Sequence, residues 1–345
     1  MNRQIAFICT ISALATSPIQ SHAEAQASQS AQINSILETF EKSVKPDLNG
    51  KITLEKKINF QSNSYNSTNR AIGARYTYPQ AFQIDEKKDL LYILRYSNGH
   101  PARGVIEKYK WSSGLLVSTY LIKEPQMSIS EGIVVDHSDQ GDLLYIRSEN
   151  KLVRYQLIEG DNALGSTKKL KVLFDNVAQS FYRKDGQWYL EKYRTTPDAV
   201  GQSRGEYYIL DRNFKHIGDL SLPARYAGYR ESDQLNLPKH QGFAVLGDGY
   251  VMSMGGYWSE KTETTPYHYY GVNVFNSDGS IRSSSYVAPK VLFSELSRLG
   301  IKAYKNENEG IQAMNDGSLI ALQVVQTKEN PDGQLLFIRF TLPPS

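Results

Sequence analysis

The sequence predicts an all-β chain, a five-bladed β-propeller closed by an N-terminal strand, with a short amphipathic helix ahead of it. Three observations carry this expectation. One strand pattern recurs five times, the fifth copy runs out of chain one strand short, and the composition is rich in Tyr, 23 of 345 residues, a residue that suits half-buried strands. A 40% hydrophobic, 22% charged chain with a formal charge of +3 is globular in composition. It excludes disorder, collagen and coiled coil, and offers no basic field for nucleic acid.

The first 23 residues read as a cleavable export signal: Arg3, an apolar stretch over 5–15, then Ser21-His22-Ala23 before the cleavage point. That stretch is too short to span a bilayer, for which roughly 20 apolar residues are needed, and no transmembrane segment is expected elsewhere. The expected location is secreted or periplasmic. The single Cys, Cys9, falls inside the signal, so the mature chain has no disulfide to rely on. Residues 24–50 form a helical segment, because Ile33, Ile36, Leu37, Phe40 and Val44 recur at helical spacing.

The propeller spans 51–345. Each copy opens with an amide or carboxylate, a small residue and a bulky apolar one, then a tight polar turn and an alternating strand. The openings are Gln80-Ala81-Phe82, Glu131-Gly132-Ile133, Gln179-Ser180-Phe181, Gln241-Gly242-Phe243 and Glu309-Gly310-Ile311, at spacings of 51, 48, 62 and 68 residues. Second strands follow at 90–96, 143–148, 188–193, 250–254 and 319–325, and third strands at 105–111, 151–157, 206–211, 271–275 and 335–341. Fourth strands appear in four copies, at 115–122, 169–174, 216–222 and 281–287. The strand-like segment 51–60 supplies the missing one, which closes a ring and removes its edges. A further helix is expected at 290–299.

Long second-to-third connections (97–104, 194–205, 255–270, 326–334) and long approach segments (223–240, 288–308) share one face, which is where a binding surface is expected. Its richest part carries Tyr226, Tyr229, Arg230, Tyr257, Trp258, Tyr267, His268, Tyr269 and Tyr270. Clustered aromatic rings stack on sugar rings while neighbouring polar groups take the hydroxyls. Tyr257, Trp258 and Tyr269 are expected to carry that stacking.

The opening residues Gln80, Glu131, Gln179, Gln241 and Glu309 should converge at the channel mouth, extended by His240 and Asn308. Three amides and two carboxylates could coordinate a hard cation such as Ca²⁺ or form a water-bridged ring. His100 and His137 read as solvated loop residues. No nucleophile elbow, zinc-protease helix, phosphate loop or dinucleotide fingerprint is present. The enzymatic alternative is a glycoside hydrolase using Glu131 and Glu309, with Asp233 or Glu307, as acid and base.

The stretch 292–325, with Leu-Phe-Ser-Glu-Leu-Ser-Arg-Leu-Gly-Ile followed by Asn306-Glu307-Asn308-Glu309-Gly310-Ile311-Gln312, resembles the C-terminal part of helveticin-J-like bacteriocins. His240-Gln241-Gly242-Phe243 fits as well. More broadly, residues 51–343 are similar to the propeller shared by those bacteriocins, receptor-binding proteins of staphylococcal phages and teichoic-acid biosynthesis protein C. The chain departs from them in its signal peptide and in lacking phage stem segments. The resemblance implies the propeller fold and recognition of cell-envelope glycans, with Gln241, Gly242, Glu309 and Gly310 at matching positions. The expected function is therefore a non-enzymatic binder of a cell-surface polysaccharide or glycan-bearing envelope protein, bacteriocin-like in role. A periplasmic inhibitor or immunity propeller is a further alternative.

Overall fold

The computed structural model describes helical positions 31, 35, 38 and 40–42, and residues 53–59, 78–97, 103–122, 130–139, 141–192, 204–223, 240–255, 257–259, 269–331 and 333–340. The sequon at Asn66, the export signal, His100, and most of the long loops lie outside them.

The architecture is mostly β-strand and fits a β-propeller. The N-terminal strand is β1 (Thr53–Asn59). A first antiparallel unit follows as β2 (Tyr78–Asp85), β3 (Leu90–Ser97), β4 (Arg103–Lys110) and β5 (Leu116–Ile122). The second is β6 (Val134–Ser138), β7 (Gly141–Ser148), β8 (Lys151–Ile158) and β9 (Leu164–Asp175). The third is β10 (Val177–Lys184), β11 (Gln187–Lys192), β12 (Arg204–Leu210) and β13 (His216–Pro223). The fourth is β14 (His240–Val245), β15 (Gly249–Met254), β17 (Tyr270–Asn276) and β18 (Ile281–Val287), with β16 (Tyr257–Ser259) leaving it. Helix α1 (Pro289–Arg298) leads to β19 (Ala303–Ala313), β20 (Leu319–Thr327) and β21 (Gln334–Phe340). β1 pairs antiparallel with β21, Leu54 opposite Ile338 and Ile58 opposite Leu335, so the N-terminal strand completes the last unit.

The strand periodicity explains why the middle strands are apolar throughout. In β20 every residue is buried: Leu319, Ala321 and Val325 enter a cluster shared with the fourth unit, while Ile320, Leu322 and Val324 enter one shared with the first. Successive side chains of a strand point to opposite faces, and both faces here meet a neighbouring sheet. The same split holds in β3, where Tyr92 and Leu94 face the second unit and Leu91 and Ile93 the fifth. Further clusters join the second unit to the third, around Tyr145 and Trp188, and the third to the fourth, around Tyr207 and Phe243. The core therefore lies between sheets. Each fully buried aliphatic side chain contributes about 1.5–3 kcal/mol.

Two arrangements differ from the sequence expectation. The outer strands β5 and β9 pair in parallel, Thr119 opposite Leu164 and Leu121 opposite Ser166, which merges the first two units into one eight-stranded sheet. The stretch 255–270, expected as loop, includes β16, which adds to the free edge of β19 with Trp258 opposite Asn306. Both are long-range pairings that local pattern does not encode. The N-terminal helix is present, and its Phe40 is fully buried, edge-on to Tyr269 and Tyr286 at 4.8 and 5.0 Å.

Candidate functional site

The inner strands β2, β10, β14 and β19, with the segment 131–138, meet at a hub. In two of the repeats the small second residue has a steric cause there. A Cβ on Gly242 would lie 2.8 Å from the Gly310 Cα, and one on Gly132 would lie 2.7 Å from the Phe181 ring. Gly310 has φ +130°, a conformation that side chains disfavour. Two glutamines staple neighbouring inner strands. Gln312 accepts from the Ile84 N–H at 2.7 Å and donates to the Ile84 carbonyl at 2.8 Å. Gln83 accepts from the Val135 N–H at 2.5 Å and donates to its carbonyl at 3.3 Å.

These strands enclose a cavity of about 320 Å³. Phe82, Phe181, Phe243, Ile133 and Ile311 give it apolar walls; Glu131, Asp136, Arg183, Lys184 and Asp185 are its charged lining. Arg183 pairs with Asp136 and packs 5.1 Å over the Trp188 ring, and the Lys184 ammonium donates to the Val245 carbonyl at 3.1 Å. Burial pushes the Tyr182 phenol up to about 12, against the lowering effect of a backbone hydrogen bond with Ala313. The turn 184–186 lies at the end opposite the long loops, so the cavity reaches the short-turn face.

The opposite end of the hub is polar and buried. Asn308 donates to Ser253 Oγ at 2.6 Å and accepts from Gln323 at 3.3 Å, and the Tyr207 hydroxyl lies 3.3 Å from His240 Nε2. Burial, then the nearby Glu191 charge, holds the Tyr207 phenol well above its usual range. His240 (5% exposed) and Gln241 (3%) are thus core residues and not part of an accessible binding surface. The same correction applies to two tyrosines of the expected binding cluster, one of them, Tyr269, expected to stack. Tyr270 is 2% exposed, and Tyr269 at 4% donates to Glu41 at 2.7 Å under the N-terminal helix. Tyr257 and Trp258 sit on β16 beside the inner edge of β19. Tyr226, Tyr229, Arg230, Tyr267 and His268 lie outside the described residues, as does Asp233.

Of the five opening residues, the structure joins Glu131 and Gln179 through a main-chain bond of 2.8 Å, while the Gln80 amide donates to the Pro79 carbonyl at 2.8 Å. Glu131 lines the cavity; Glu309, 2% exposed, does not. Among the described residues, no group of three or more His, Cys, Asp or Glu side chains could hold a metal ion.

His137 is also corrected: it lies on β6, 14% exposed, between two carboxylates. Its Nε2 is 3.1 Å from Asp85 and its Nδ1 2.6 Å from Asp142. Asp142 also accepts from Tyr92 at 2.8 Å and Lys108 at 3.2 Å. Burial works against its charge, but the Tyr92 and His137 hydrogen bonds and Lys108 outweigh it and hold the carboxyl below the usual range. Missed altogether in the sequence were the roles of Gln83 and Gln312. Their signal was an amide at the same repeat position, three after the opening residue, in the first and last copies.

No family model and no curated protein matches the chain. Solved structures similar to it are β-propeller-type proteins. The tail fibre of Staphylococcus aureus phage P68 is 12% identical with a TM-score of 0.49, over 88% of this chain, which spans only 56% of the fibre chain. A PQQ-bound aldose sugar dehydrogenase from Streptomyces coelicolor is 11% identical with a TM-score of 0.41, over 85% of this chain and 99% of that one. The Dos1 propeller is 11% identical with a TM-score of 0.34, over 84% and 76%.

Proposed function

We propose that the protein is an exported, non-catalytic, five-bladed β-propeller that binds a cell-envelope polysaccharide or a glycan-bearing envelope partner. The blade count is supported by the match between five sequence repeats and five four-strand units, the last completed by β1. It is also supported by five apolar clusters, each shared by two successive units and one linking the fifth back to the first.

The observation that carries the non-catalytic reading is that only one of the two candidate carboxylates lines the cavity. A hydrolase needs an acid and a second carboxylate on either side of one sugar bond, about 5–10 Å apart in an accessible cleft. Glu131 lines the hub cavity, whereas Glu309 is buried and is not among its lining residues. The binding reading rests on the aromatic long-loop face, of which β16 holds Tyr257 and Trp258 on a strand and not on a free loop. No described helix is long and apolar enough to cross a membrane.

The test is a glycan array with purified protein, with Ca²⁺ and with chelator, followed by mass analysis of the bound sugars. Intact glycan held by the wild type and lost in Tyr257→Ala and Trp258→Ala is the expected result. Shortened glycans would overturn the non-catalytic reading, and binding lost in chelator would make the opening residues a calcium site. An empty array would remove the glycan.

A further inference from the structure

We propose that the outer corner where the first and second units merge is a docking surface for an anionic lipid bilayer. Among the described residues, every exposed large aliphatic side chain other than Ile217 and Val291 falls on this corner. They run from Leu115 to Val117 at the start of β5, to Ile158 at the end of β8, and to Leu164, Leu170 and Val172 on β9, at 37–67% exposure. Strand register puts an apolar and a basic part on one face. Leu116 and Thr119 lie opposite Tyr109 and Glu107, which share a face of β4, and Thr119 lies opposite Leu164. Further along β9, Ser166 lies opposite Ile158, Lys168 opposite Gln156 and Lys171 opposite Arg154. Leu116, Leu164 and Ile158 therefore adjoin Lys168 and Lys171, and both lysines are exposed.

The charge of this face is one-sided. Lys171 stands across from Arg154, and like charges so placed weaken a sheet. The neighbouring carboxylates do not offset them. Glu159 accepts from Ser118 at 3.1 Å and from Tyr120, Asp175 pairs with Lys151, and Asp161 precedes Leu164 at the apolar end. An anionic bilayer satisfies both parts, because aliphatic side chains enter the acyl boundary while lysines meet the phosphates. Each other occupant leaves something unmet. A second copy brings the same lysines and no carboxylate to meet them. An acidic strand added to β9 meets an edge bulged at Leu170 and Leu173, and a soluble polyanion leaves the aliphatic part in water.

The experiment is flotation of the full chain with vesicles of phosphatidylglycerol and phosphatidylcholine in equal parts, beside vesicles of phosphatidylcholine alone, in about 0.1 M salt. Binding to the anionic vesicles should be at least about tenfold stronger. Each lysine at such a surface is worth about fivefold, so Lys168→Gln with Lys171→Gln should lower binding about 20-fold or more. Leu116→Ser with Leu164→Ser should lower it about tenfold, and Lys290→Gln, exposed on α1, should leave it unchanged. The proposal does not rest on the glycan reading, and array binding should be the same in all these variants. Equal binding to both vesicles, no binding to either, or full binding in double variants whose melting curves show them folded would overturn it. So would vesicle binding that survives the leucine changes and is displaced by poly-glutamate, which marks a soluble-polyanion site. A dimer in sedimentation that the leucine changes dissolve would overturn it too, as an interface between copies.

Discussion

At the seam between the first and second units, inner strands meet through charge: His137 lies between Asp85 and Asp142, with Tyr92 and Lys108 closing the network. At the seam between the fourth and fifth, they meet through the absence of side chains, Gly242 against the backbone of Gly310. Neighbouring units are thus joined by two kinds of physics. A seam built on backbone contact tolerates no added atom, because backbone cannot rotate away as a side chain can. One built on ion pairs tolerates volume change but depends on pH.

The largest effect should come from the glycine seam. Gly242→Val puts methyl groups where the Gly310 Cα and Ile311 nitrogen already sit, and should cost about 4 kcal/mol or abolish folding. Gly247→Val is the control, since a Cβ there meets nothing within 4 Å; its urea midpoint should stay near the wild type. Equal midpoints for the two variants would erase the distinction between the seams.

Next comes the charged seam. Asp142→Asn leaves His137 and Lys108 without their shared partner, and removing one member of such a pair costs about 3 kcal/mol at neutral pH. The folded Asp142 carboxyl lies below its unfolded value of about 3.9. Its stabilisation is therefore present above that value and is lost as pH falls through the lower folded one. The gap between wild type and variant should shrink from pH 7 to pH 3, whereas the Gly242→Val deficit should not. A gap that is constant with pH would mean that Asp142 acts through packing alone.

These two seams also show how far the sequence could be read. Repeat openings, turns and the missing fourth strand are local patterns, and each corresponds to an observed element, down to β1 on β21. The glycines were visible as a repeat position, although their reason, contact with the next inner strand, exists only in the closed ring. His137 looked solvated because Asp85 is 52 positions away, and nothing local announces a partner at that distance. Tyr269 and Tyr270 looked like a display of aromatics because composition cannot tell a ring facing a ligand from one facing Phe40. The cavity charges Arg183 and Asp185 were hidden inside what reads as an ordinary turn.

The amide staples fall below both seams in size. Gln312→Leu leaves the N–H and carbonyl of Ile84 unpaired, at about 2 kcal/mol for two partly buried backbone groups. Faster hydrogen exchange at the Ile84 amide, with the rest of β2 unchanged, would locate the loss at that staple; uniform exchange throughout would assign it to general destabilisation.

The smallest effect tests the correction to Tyr269. Removing only its hydroxyl, in Tyr269→Phe, deletes the hydrogen bond to Glu41 but keeps the ring edge-on to Phe40, so the cost should be about 1 kcal/mol. A tyrosine that stacked on a sugar would instead keep its stability in this variant, and its glycan affinity would fall only when the whole ring is removed, in Tyr269→Ala. The two outcomes are separable because Phe stacks on a sugar much as Tyr does, while only Tyr can donate to Glu41. A lowered melting temperature with glycan affinity preserved therefore places Tyr269 in the attachment of the N-terminal helix, where its burial already puts it, and leaves Tyr257 and Trp258 to carry the stacking.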